Sequence, residues 1–335
     1  MVTLPNETFL IEKVPQTQTY QGSESILKSP KICFSHHCCR LGEMNTHQIL
    51  LQLKVTRRRN VLLKNEILLM PLEWGYNEEN GPEKWQHSYP EAAGARQSPI
   101  DIRAVDLQAF NTNRKLSWNY VPENTKEVSN PGYCWKVSVD GTGSNLSGGP
   151  LDGTYVLEQF HCHWGQTNEE GSEHTVNGEK YAGELHLVHW NSSKYSSFAE
   201  AAKYPDGLAV LGVFLKVGRK HLELDKIVCQ LNKVQFRGEH AKILVPLDPG
   251  ALLPENSGYY TYSGSLTTPP CSECVVWIVF KDPVEISQEQ LDTFRALRCY
   301  SSEDLCPCDE YKGFVKSNFR PTLPLGQREV KECRQ

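Results

Sequence analysis

Three histidines lie at spacings that suit a metal ion. His161 and His163 lie two residues apart, and His186 lies in a second strand-like run, Glu184-Leu185-His186-Leu187-Val188. Because side chains alternate between the two faces of a β-strand, His161 and His163 share one face. Three neutral imidazoles without a fourth protein ligand are typical of a catalytic zinc site, which keeps one coordination position open. The spacing therefore predicts that these histidines bind Zn²⁺, and an ordinary pair of His-rich strands is the alternative.

Acceptor side chains accompany two of these histidines. A metal-bound histidine needs an acceptor for its other ring N–H, because that hydrogen bond fixes the tautomer and the orientation of the ring. Gln159 lies two residues before His161, and Glu184 lies two residues before His186. Each of them shares a strand face with its histidine, so we expect Gln159 and Glu184 to be these acceptors.

The surrounding sequence predicts the strands that must position these side chains. Short apolar runs separated by Gly, Pro and Asn turns follow residue 71, and only a few short segments have helical periodicity. Strands are predicted at 134–139, 155–164, 181–190, 208–217 and 274–280, and helices at 197–203, 220–232 and 287–297. Because regular βαβ alternation is missing, we predict a mainly β fold. It would be a single domain built on a large twisted, mostly antiparallel central sheet with a few short peripheral helices.

Composition excludes several classes of protein. The 335 residues carry a net charge of −5, which argues against a nucleic-acid-binding protein. No run approaches the roughly 18 apolar residues of a membrane span. The 12 cysteines are too sparse and irregular for a disulfide scaffold. Cys38-Cys39 and Cys306-Pro307-Cys308 lack the partner pairs of a zinc knuckle.

The balance of charge changes near residue 70. Residues 1–70 contain nine Lys and Arg against five Asp and Glu, whereas the remainder is acidic. We interpret residues 1–70 as an irregular N-terminal extension and residues 71–335 as the catalytic domain. Within the extension, residues 44–70 are acid-poor and Leu-rich around the run Arg57-Arg58-Arg59. An incidental surface helix or a misassigned translation start is the preferred interpretation, and a mitochondrial presequence starting at Met44 is the alternative.

A series of motifs after Met70 resembles the alpha-class carbonic anhydrases. The run Ser172-Glu173-His174-Thr175-Val176, followed by Tyr181 and the run that contains His186, is similar to the signature of that family. Further motifs match in the family's order at residues 74–76, 81–85, 96–102, 148–155, 265–270 and 318–321. The resemblance covers residues 71–335 and implies a zinc-dependent carbonate dehydratase, which hydrates carbon dioxide reversibly to bicarbonate and a proton.

The resemblance also implies a role for each site residue. His161, His163 and His186 would bind Zn²⁺, which lowers the pKa of its bound water to about 7, an effect for which carbonic anhydrase is itself the standard example. The zinc-bound hydroxide would then attack carbon dioxide. The acceptors for the other ring nitrogens would be Gln159, Glu184 and the backbone of Asn318.

Two threonines and one carboxylate would act on the reacting groups. An ionised Glu173 can only accept a hydrogen bond, so Thr267 would donate to it and accept from the hydroxide. Thr268 would help to position bicarbonate. The residues that would form an apolar wall for carbon dioxide are Val188, Val210, Leu266 and Trp277.

The sequence departs from the family's pattern at Tyr133. This residue follows Gly132, where the family's usual proton-shuttling histidine would lie. A phenol with a pKa near 10 is poorly matched to a donor with a pKa near 7, so we expect no fast proton shuttle. Unaided proton release to water is then limited to about 10³ s⁻¹, and Lys136 or buffer is the remaining acceptor. Mitochondrial vertebrate members of the family also resemble this chain in having tyrosine here.

Compartment and partners follow from the same resemblance. Secreted relatives commonly have a disulfide for which this chain has Cys271 but only Ala92 at the other position, so we expect a reducing, cytoplasmic location, with mitochondria as the alternative. We expect a monomer that sulfonamides inhibit. One rival function is a zinc-binding but catalytically weak carbonic anhydrase-related interaction protein. Another is a different zinc hydrolase, for which the His-Glu-x-x-His motif is missing.

Overall fold

The structure is a computed structural model that describes residues 74–334 except residues 257, 305 and 308. The chain divides into the units Met1–Leu63 and Lys64–Gln335, and every element below belongs to the second unit. The predictions for residues 1–70, for Cys38-Cys39 and for Cys308 lie outside the described residues. The boundary at residue 70 therefore stays a prediction.

Strands dominate the described part of the chain. They are β1 (Asp101–Ile102), β2 (Leu107–Ala109), β3 (Ser117–Asn119), β4 (Thr125–Ser129), β5 (Lys136–Val139), β6 (Asn145–Ser147), β7 (Thr154–Trp164), β8 (Thr175–Val176), β9 (Gly183–Asn191), β10 (Leu208–Val217), β11 (His240–Lys242), β12 (Tyr259–Gly264), β13 (Val275–Phe280), β14 (Val284–Ile286) and β15 (Val330–Cys333). All of them except the separate pair β1 and β8 form one 13-stranded sheet.

The order along the sheet is β11-β4-β5-β7-β9-β10-β13-β12-β15-β2, with β6 beside β7, β3 beside β6 and β14 beside β10. Its parallel pairs are β10 with β13, β10 with β14, and β15 with β2. The other pairs in this sheet are antiparallel. The prediction of a mainly β fold with a large, mostly antiparallel sheet is confirmed.

Helices are few and short among the described residues, as predicted. The α-helices are α1 (Phe198–Ala201), α2 (Leu222–Leu231) and α3 (Gln288–Phe294). The 3-10 helices are Trp85–His87, Pro90–Ala93, Ala104–Asp106, Pro122–Asn124 and Pro249–Leu252. Ser287 starts α3 with a capping box, because its side chain accepts from Gln290 N and the Gln290 side chain bonds back. Within residues 74–334 as described, no helix is long and apolar enough to cross a membrane.

The sheet is buried on both faces near β10. Alternate side chains of β10 belong to two different apolar clusters: Leu208, Val210 and Phe214 lie in one cluster, and the intervening Ala209 and Leu211 lie in the other. We call the face that carries Leu208, Val210 and Phe214 the site face, and the opposite one the core face. A polar side chain on these central strands must therefore find a partner within the protein.

A β-bulge interrupts β7 next to the predicted ligands. Leu157 pairs with His189 of β9 and Gln159 pairs with Val188, so Glu158 is an extra residue on β7. The bulge explains why Leu157 and Phe160 both pack on the core face, although they lie three residues apart. Simple alternation along 155–164 misses this irregularity.

Candidate metal centre

β7 and β9 bring the three predicted metal ligands together on the site face. His161 lies directly opposite His186 across the two strands, and His163 lies two residues farther along β7. The ring centroids are 5.0 Å apart for His161 and His163, 5.3 Å for His161 and His186, and 4.7 Å for His163 and His186. One ligand atom of each histidine lies within 4.8 Å of those of the other two.

Each of the three rings has one nitrogen bound to an oxygen of the protein. The pairs are His161 Nδ1 with Gln159 Oε1 at 2.9 Å, His163 Nδ1 with the Asn318 carbonyl oxygen at 2.7 Å, and His186 Nε2 with Glu184 Oε1 at 2.8 Å. Amide, carbonyl and carboxylate oxygens accept hydrogen bonds, so in each neutral ring this nitrogen carries the proton. The other nitrogen of each ring is left with a lone pair.

The lone pairs face one another at a spacing that suits zinc. His161 Nε2 lies 3.1 Å from His163 Nε2, and neither nitrogen has a proton to donate to the other. Two nitrogens bound to one tetrahedral zinc ion at about 2.0–2.1 Å lie about 3.3 Å apart. The donor set therefore fits zinc, with His161 Nε2, His163 Nε2 and His186 Nδ1 as the atoms that would hold it.

Burial keeps the three rings neutral. Removal from water lowers the pKa of His161 well below its usual value, and the neighbouring His163 and His186 add to this effect. It also lowers the pKa of His163 to about 3 and the pKa of His186 below its usual range. A metal ion binds the neutral imidazole, so no proton competes for these nitrogens at neutral pH.

Glu184 connects the centre to the surrounding sheet. Besides His186, its Oε1 accepts from His174 Nδ1 at 2.7 Å, and its Oε2 accepts the backbone N–H groups of Glu173 and His174 at 2.9 and 2.8 Å. Burial by itself would raise the pKa of Glu184, but the neighbouring His174 and His186 and these hydrogen bonds hold it well below its usual value. Gly212 lies opposite His186, and a Cβ there would come within 3.1 Å of Glu184 Oε1, so the glycine leaves room for the carboxylate.

Glu173 has fewer partners. Its Oε1 accepts the backbone N–H of Arg320 at 2.8 Å, whereas its buried Oε2 has no hydrogen-bond partner among the described residues. That oxygen lies 3.4 Å from His163 Nε2 and 3.8 Å from His186 Nδ1. Burial raises the pKa of Glu173 well above its usual value, and the charge of Glu184 adds a smaller rise. A cation at the ring nitrogens would act in the opposite direction and favour the carboxylate.

Thr267 is buried beside this carboxyl group. No hydrogen bond within 3.5 Å joins its hydroxyl to Glu173 in the described structure, although its interaction with that group lowers the pKa of Glu173. Thr268 is half-buried, and its carbonyl oxygen accepts the backbone N–H of Cys271. Apart from its place next to Thr267, no described contact brings the Thr268 side chain to the histidines. The roles of both threonines stay predictions.

Apolar side chains adjoin the histidines on the site face. Val188 lies two residues after His186 on β9 and pairs with Val210 of β10, which pairs with Trp277 of β13. These three are almost fully buried, and Leu266 packs against the same cluster. The Trp277 ring centroid lies 4.9 Å from that of His186. The predicted wall residues therefore form a continuous apolar surface beside the three histidines.

Tyr133 lies on the turn before β5. Its ring packs against Trp74 with the centroids 4.5 Å apart, and it lines a cleft of about 550 Å³ that none of the three histidines lines. Its carbonyl oxygen accepts from Asn318 Nδ2, so its backbone is tied to the residue that holds His163. Burial raises the pKa of the phenol above its already high usual value.

Sequence reasoning missed two supporting residues. His174 bridges Glu184 and Tyr262, because its Nε2 lies 2.6 Å from the Tyr262 hydroxyl. The Arg320 guanidinium donates to Gln97 Oε1 at 2.9 Å, while its backbone holds Glu173. Both residues lie inside motifs that carry the family resemblance, and that position is the signal that would have identified them.

The free thiols are not part of the centre. All eight cysteines in the described part of the chain are unpaired, including Cys271, and neither potential metal-binding group there contains a cysteine. The second such group consists of His174, Glu184 and His186, whose facing atoms are already hydrogen-bonded to one another.

Comparisons with known proteins match the part of the chain that contains this centre. The family described as eukaryotic-type carbonic anhydrase matches residues 80–334, a range that contains every residue of the centre. Carbonic anhydrase 1 of Mus musculus is 46% identical over 261 residues, which span 77% of this chain and 97% of the relative. Carbonic anhydrase 3 of Sus scrofa is 44% identical over 264 residues, which span 78% of this chain and 98% of the relative.

Proposed function

The chain belongs to the eukaryotic-type carbonic anhydrases, a family of zinc-dependent carbonate dehydratases, and we propose that His161, His163 and His186 form its zinc site. The observation that carries the proposal is the convergence of three ring nitrogens whose partner nitrogens are each bound to an oxygen. Zinc held there supplies a nucleophile at neutral pH by lowering the pKa of its bound water to about 7, carbonic anhydrase being the standard example of this effect.

Gln159, Asn318 and Glu184 orient the zinc-binding rings in this proposal. Each accepts a hydrogen bond from the proton-bearing nitrogen of one ring. The tautomer and the direction of the opposite lone pair are therefore set before the metal binds. The cost of ordering these side chains is met during folding, which favours tight binding of the metal.

Thr267 and Glu173 orient the nucleophile. An ionised Glu173 can only accept, so Thr267 donates its hydroxyl proton to the carboxylate and accepts a hydrogen bond from the nucleophile with its own lone pair. The orphaned Glu173 Oε2 near the three histidines supports this role, because an additional donor at that oxygen would satisfy it.

The substrate lies against the apolar surface in our proposal. Carbon dioxide has no net dipole, so Val188, Val210, Leu266 and Trp277 hold it by excluding water rather than by hydrogen bonds. Thr268 positions the bicarbonate product. A sulfonamide inhibitor would bind at the same zinc site.

Proton release through Tyr133 is slow in this proposal. Tyr133 occupies the position where the resemblance places a shuttle histidine, but its ring lines the cleft beside Trp74 and its phenol has a raised pKa. A neutral phenol is a poor proton acceptor at pH 7, so turnover depends on another acceptor.

Zinc content and stopped-flow hydration of carbon dioxide, with and without a sulfonamide, test the proposal on the full chain. We expect about one zinc ion per chain and activity that the sulfonamide abolishes. His161→Ala should lose both zinc and activity, while the exposed His87→Ala control keeps both. Freshly purified protein without zinc would overturn the zinc site. Protein that holds zinc without accelerating hydration would favour the alternative, an interaction protein of the carbonic anhydrase-related type.

We also propose a monomer in the cytoplasm, with mitochondria as the alternative location. Relatives of the carbonic anhydrase 1 and 3 kind and the lack of a Cys partner for Cys271 at Ala92 support the cytoplasm. Mass spectrometry of the mature N-terminus decides whether the mature protein contains residues 1–70, and ribosome profiling decides whether they are translated. Light scattering of the purified chain decides the oligomeric state.

A further inference from the structure

The bulge in β7 brings a carboxyl group to the site face. Leu157 and Phe160 both face the core cluster, and Gln159 lies on the site face beside His161. In a regular strand only one residue would separate two such core-facing positions. The bulge adds Glu158 as a second residue between them. Its carboxyl group interacts with Lys136 and Trp190. Lys136 lies directly opposite His161, and Trp190 packs on the site-face cluster. Glu158 therefore lies on the same face of the sheet as the zinc-binding histidines.

Glu158 differs from the other carboxyl groups near the centre in its access to water. Glu173 and Glu184 are fully buried, whereas Glu158 is only partly buried. Three residues of strand at about 3.3 Å per residue place its Cα roughly 7–10 Å from that of His161. A short chain of water molecules is long enough to span that distance, and the exposed part of Glu158 reaches bulk solvent.

Given the proposed function, we propose that Glu158 is the acceptor that takes the proton produced by carbon dioxide hydration and passes it to solvent. The proton moves through intervening water to a Glu158 carboxylate oxygen, which becomes a neutral carboxylic acid. It then leaves to bulk water or buffer and restores the carboxylate. No bond to carbon and no electron transfer is involved.

The charge surroundings suit such a role. Burial raises the pKa of Glu158 above its usual range, while Trp190 and the ammonium group of Lys136 partly oppose the rise. The pKa of the Glu158 carboxyl group is thereby closer to that of the proton donor, which is near 7. The proton transfer is therefore less uphill. From β5 the facing charge is Lys136, and the neighbouring side chains of β9 are Val188 and Trp190, which do not ionise. Tyr133, by contrast, has no ionised form available at neutral pH.

Oxygen-18 exchange between carbon dioxide and water separates the two halves of the reaction. One rate reports the interconversion of carbon dioxide and bicarbonate, and the other reports the proton-dependent release of labelled water. We expect Glu158→Gln to lower the second rate by at least about threefold at low buffer, with the first rate unchanged. Saturating imidazole buffer should restore the second rate, because the buffer then accepts the proton directly.

Two further variants keep this test specific. Glu127→Gln is the matched control, since Glu127 is a partly exposed strand glutamate on β4 that bonds to His240, and we expect both of its rates to equal those of the parent. In a Tyr133→His background a second acceptor is present, so adding Glu158→Gln should have little effect. An unchanged release rate for Glu158→Gln at low buffer, or a parallel loss of both rates, would overturn the proposal. Absence of interconversion in the parent would instead overturn the proposed function.

Discussion

Replacing Glu184 with glutamine tests how strongly the metal centre depends on one buried carboxylate. Glu184 is fully buried and accepts four hydrogen bonds of 2.7–2.9 Å, two from ring nitrogens and two from backbone N–H groups. Glutamine keeps the shape but converts one acceptor oxygen into an NH₂ donor. If the NH₂ group faces the backbone, it lies against two backbone N–H groups, which are also donors. If it faces the rings, it meets the proton on His186 Nε2. In either orientation at least one buried donor faces another donor.

The expected magnitude follows from that mismatch. One buried donor without an acceptor costs about 1–3 kcal/mol, so the free energy of unfolding of the metal-free protein should fall by that amount. When the NH₂ faces the rings, His186 also loses the acceptor that fixes its ring, and losses of this kind reduce metal affinity by about 10–100-fold. That reduction corresponds to about 1.4–2.7 kcal/mol of zinc-binding free energy.

Competition with a fluorescent zinc chelator measures the zinc dissociation constant, and urea unfolding of the metal-free forms measures stability. Glu127→Gln, which removes an acid outside the centre, should leave both quantities at the parent values. A Glu184→Gln protein whose zinc dissociation constant stays within about twofold of the parent would refute the argument that this carboxylate fixes His186.

Three other perturbations have outcomes that the structure specifies. Tyr133→His should raise turnover at low buffer without changing kcat/KM, because imidazole accepts a proton from a donor with a pKa near 7 better than phenol does. Equal rates of oxygen-18 water release for the variant and the parent would contradict this expectation. Val188→Phe should lower kcat/KM by about 10-fold or more with zinc content retained, because the larger ring occupies apolar space beside His186. Stopped-flow hydration of carbon dioxide measures kcat/KM. If kcat/KM is unchanged, carbon dioxide does not lie against Val188. His189 lies 3.2 Å from the Ala209 carbonyl oxygen and 2.9 Å from the Tyr120 hydroxyl, and burial lowers its pKa to about 4. The unfolded chain, with a histidine pKa near 6.5, binds more protons between those values, so the parent loses about 2 kcal/mol of stability through this residue from pH 7 to pH 5. In urea unfolding His189→Gln should lose that part of the pH dependence, and an identical pH dependence in both proteins would show that His189 is not its source.

Strand periodicity predicted most of the frame that holds the centre. The predicted strand 208–217 has the bounds of β10, and the prediction 155–164 differs from β7 by one residue. These segments are long and rich in branched and aromatic residues, so their local preference and their burial agree. Helix ends were less accurate: the prediction 287–297 found the Ser287 cap but extended three residues beyond α3. The end of that helix has no glycine or proline to mark it.

Pairing in the sheet was the part that local pattern did not predict. Alternation put Gln159 and His161 on one face, yet it gave no sign that Glu158 is an extra residue, because a bulge depends on the register with β9 rather than on residue type. The supporting role of His174 also depends on contacts that local sequence pattern does not show. This histidine lies outside every long strand, and only the folded sheet brings it within 2.7 Å of Glu184 Oε1.

The two buried carboxylates differ in how far hydrogen-bond donors of the protein satisfy them. Glu184 has four donors around it, so its negative charge is stabilised without any metal. Glu173 has one backbone donor, and its other oxygen lies against ring nitrogens whose protons point away from it. The three ring lone pairs and Glu173 Oε2 therefore lie close together, and no hydrogen bond within the described residues reaches that oxygen. In the proposed function a divalent cation held by the three ring nitrogens would satisfy their lone pairs, and the Thr267 hydroxyl would supply the donor that Glu173 Oε2 lacks.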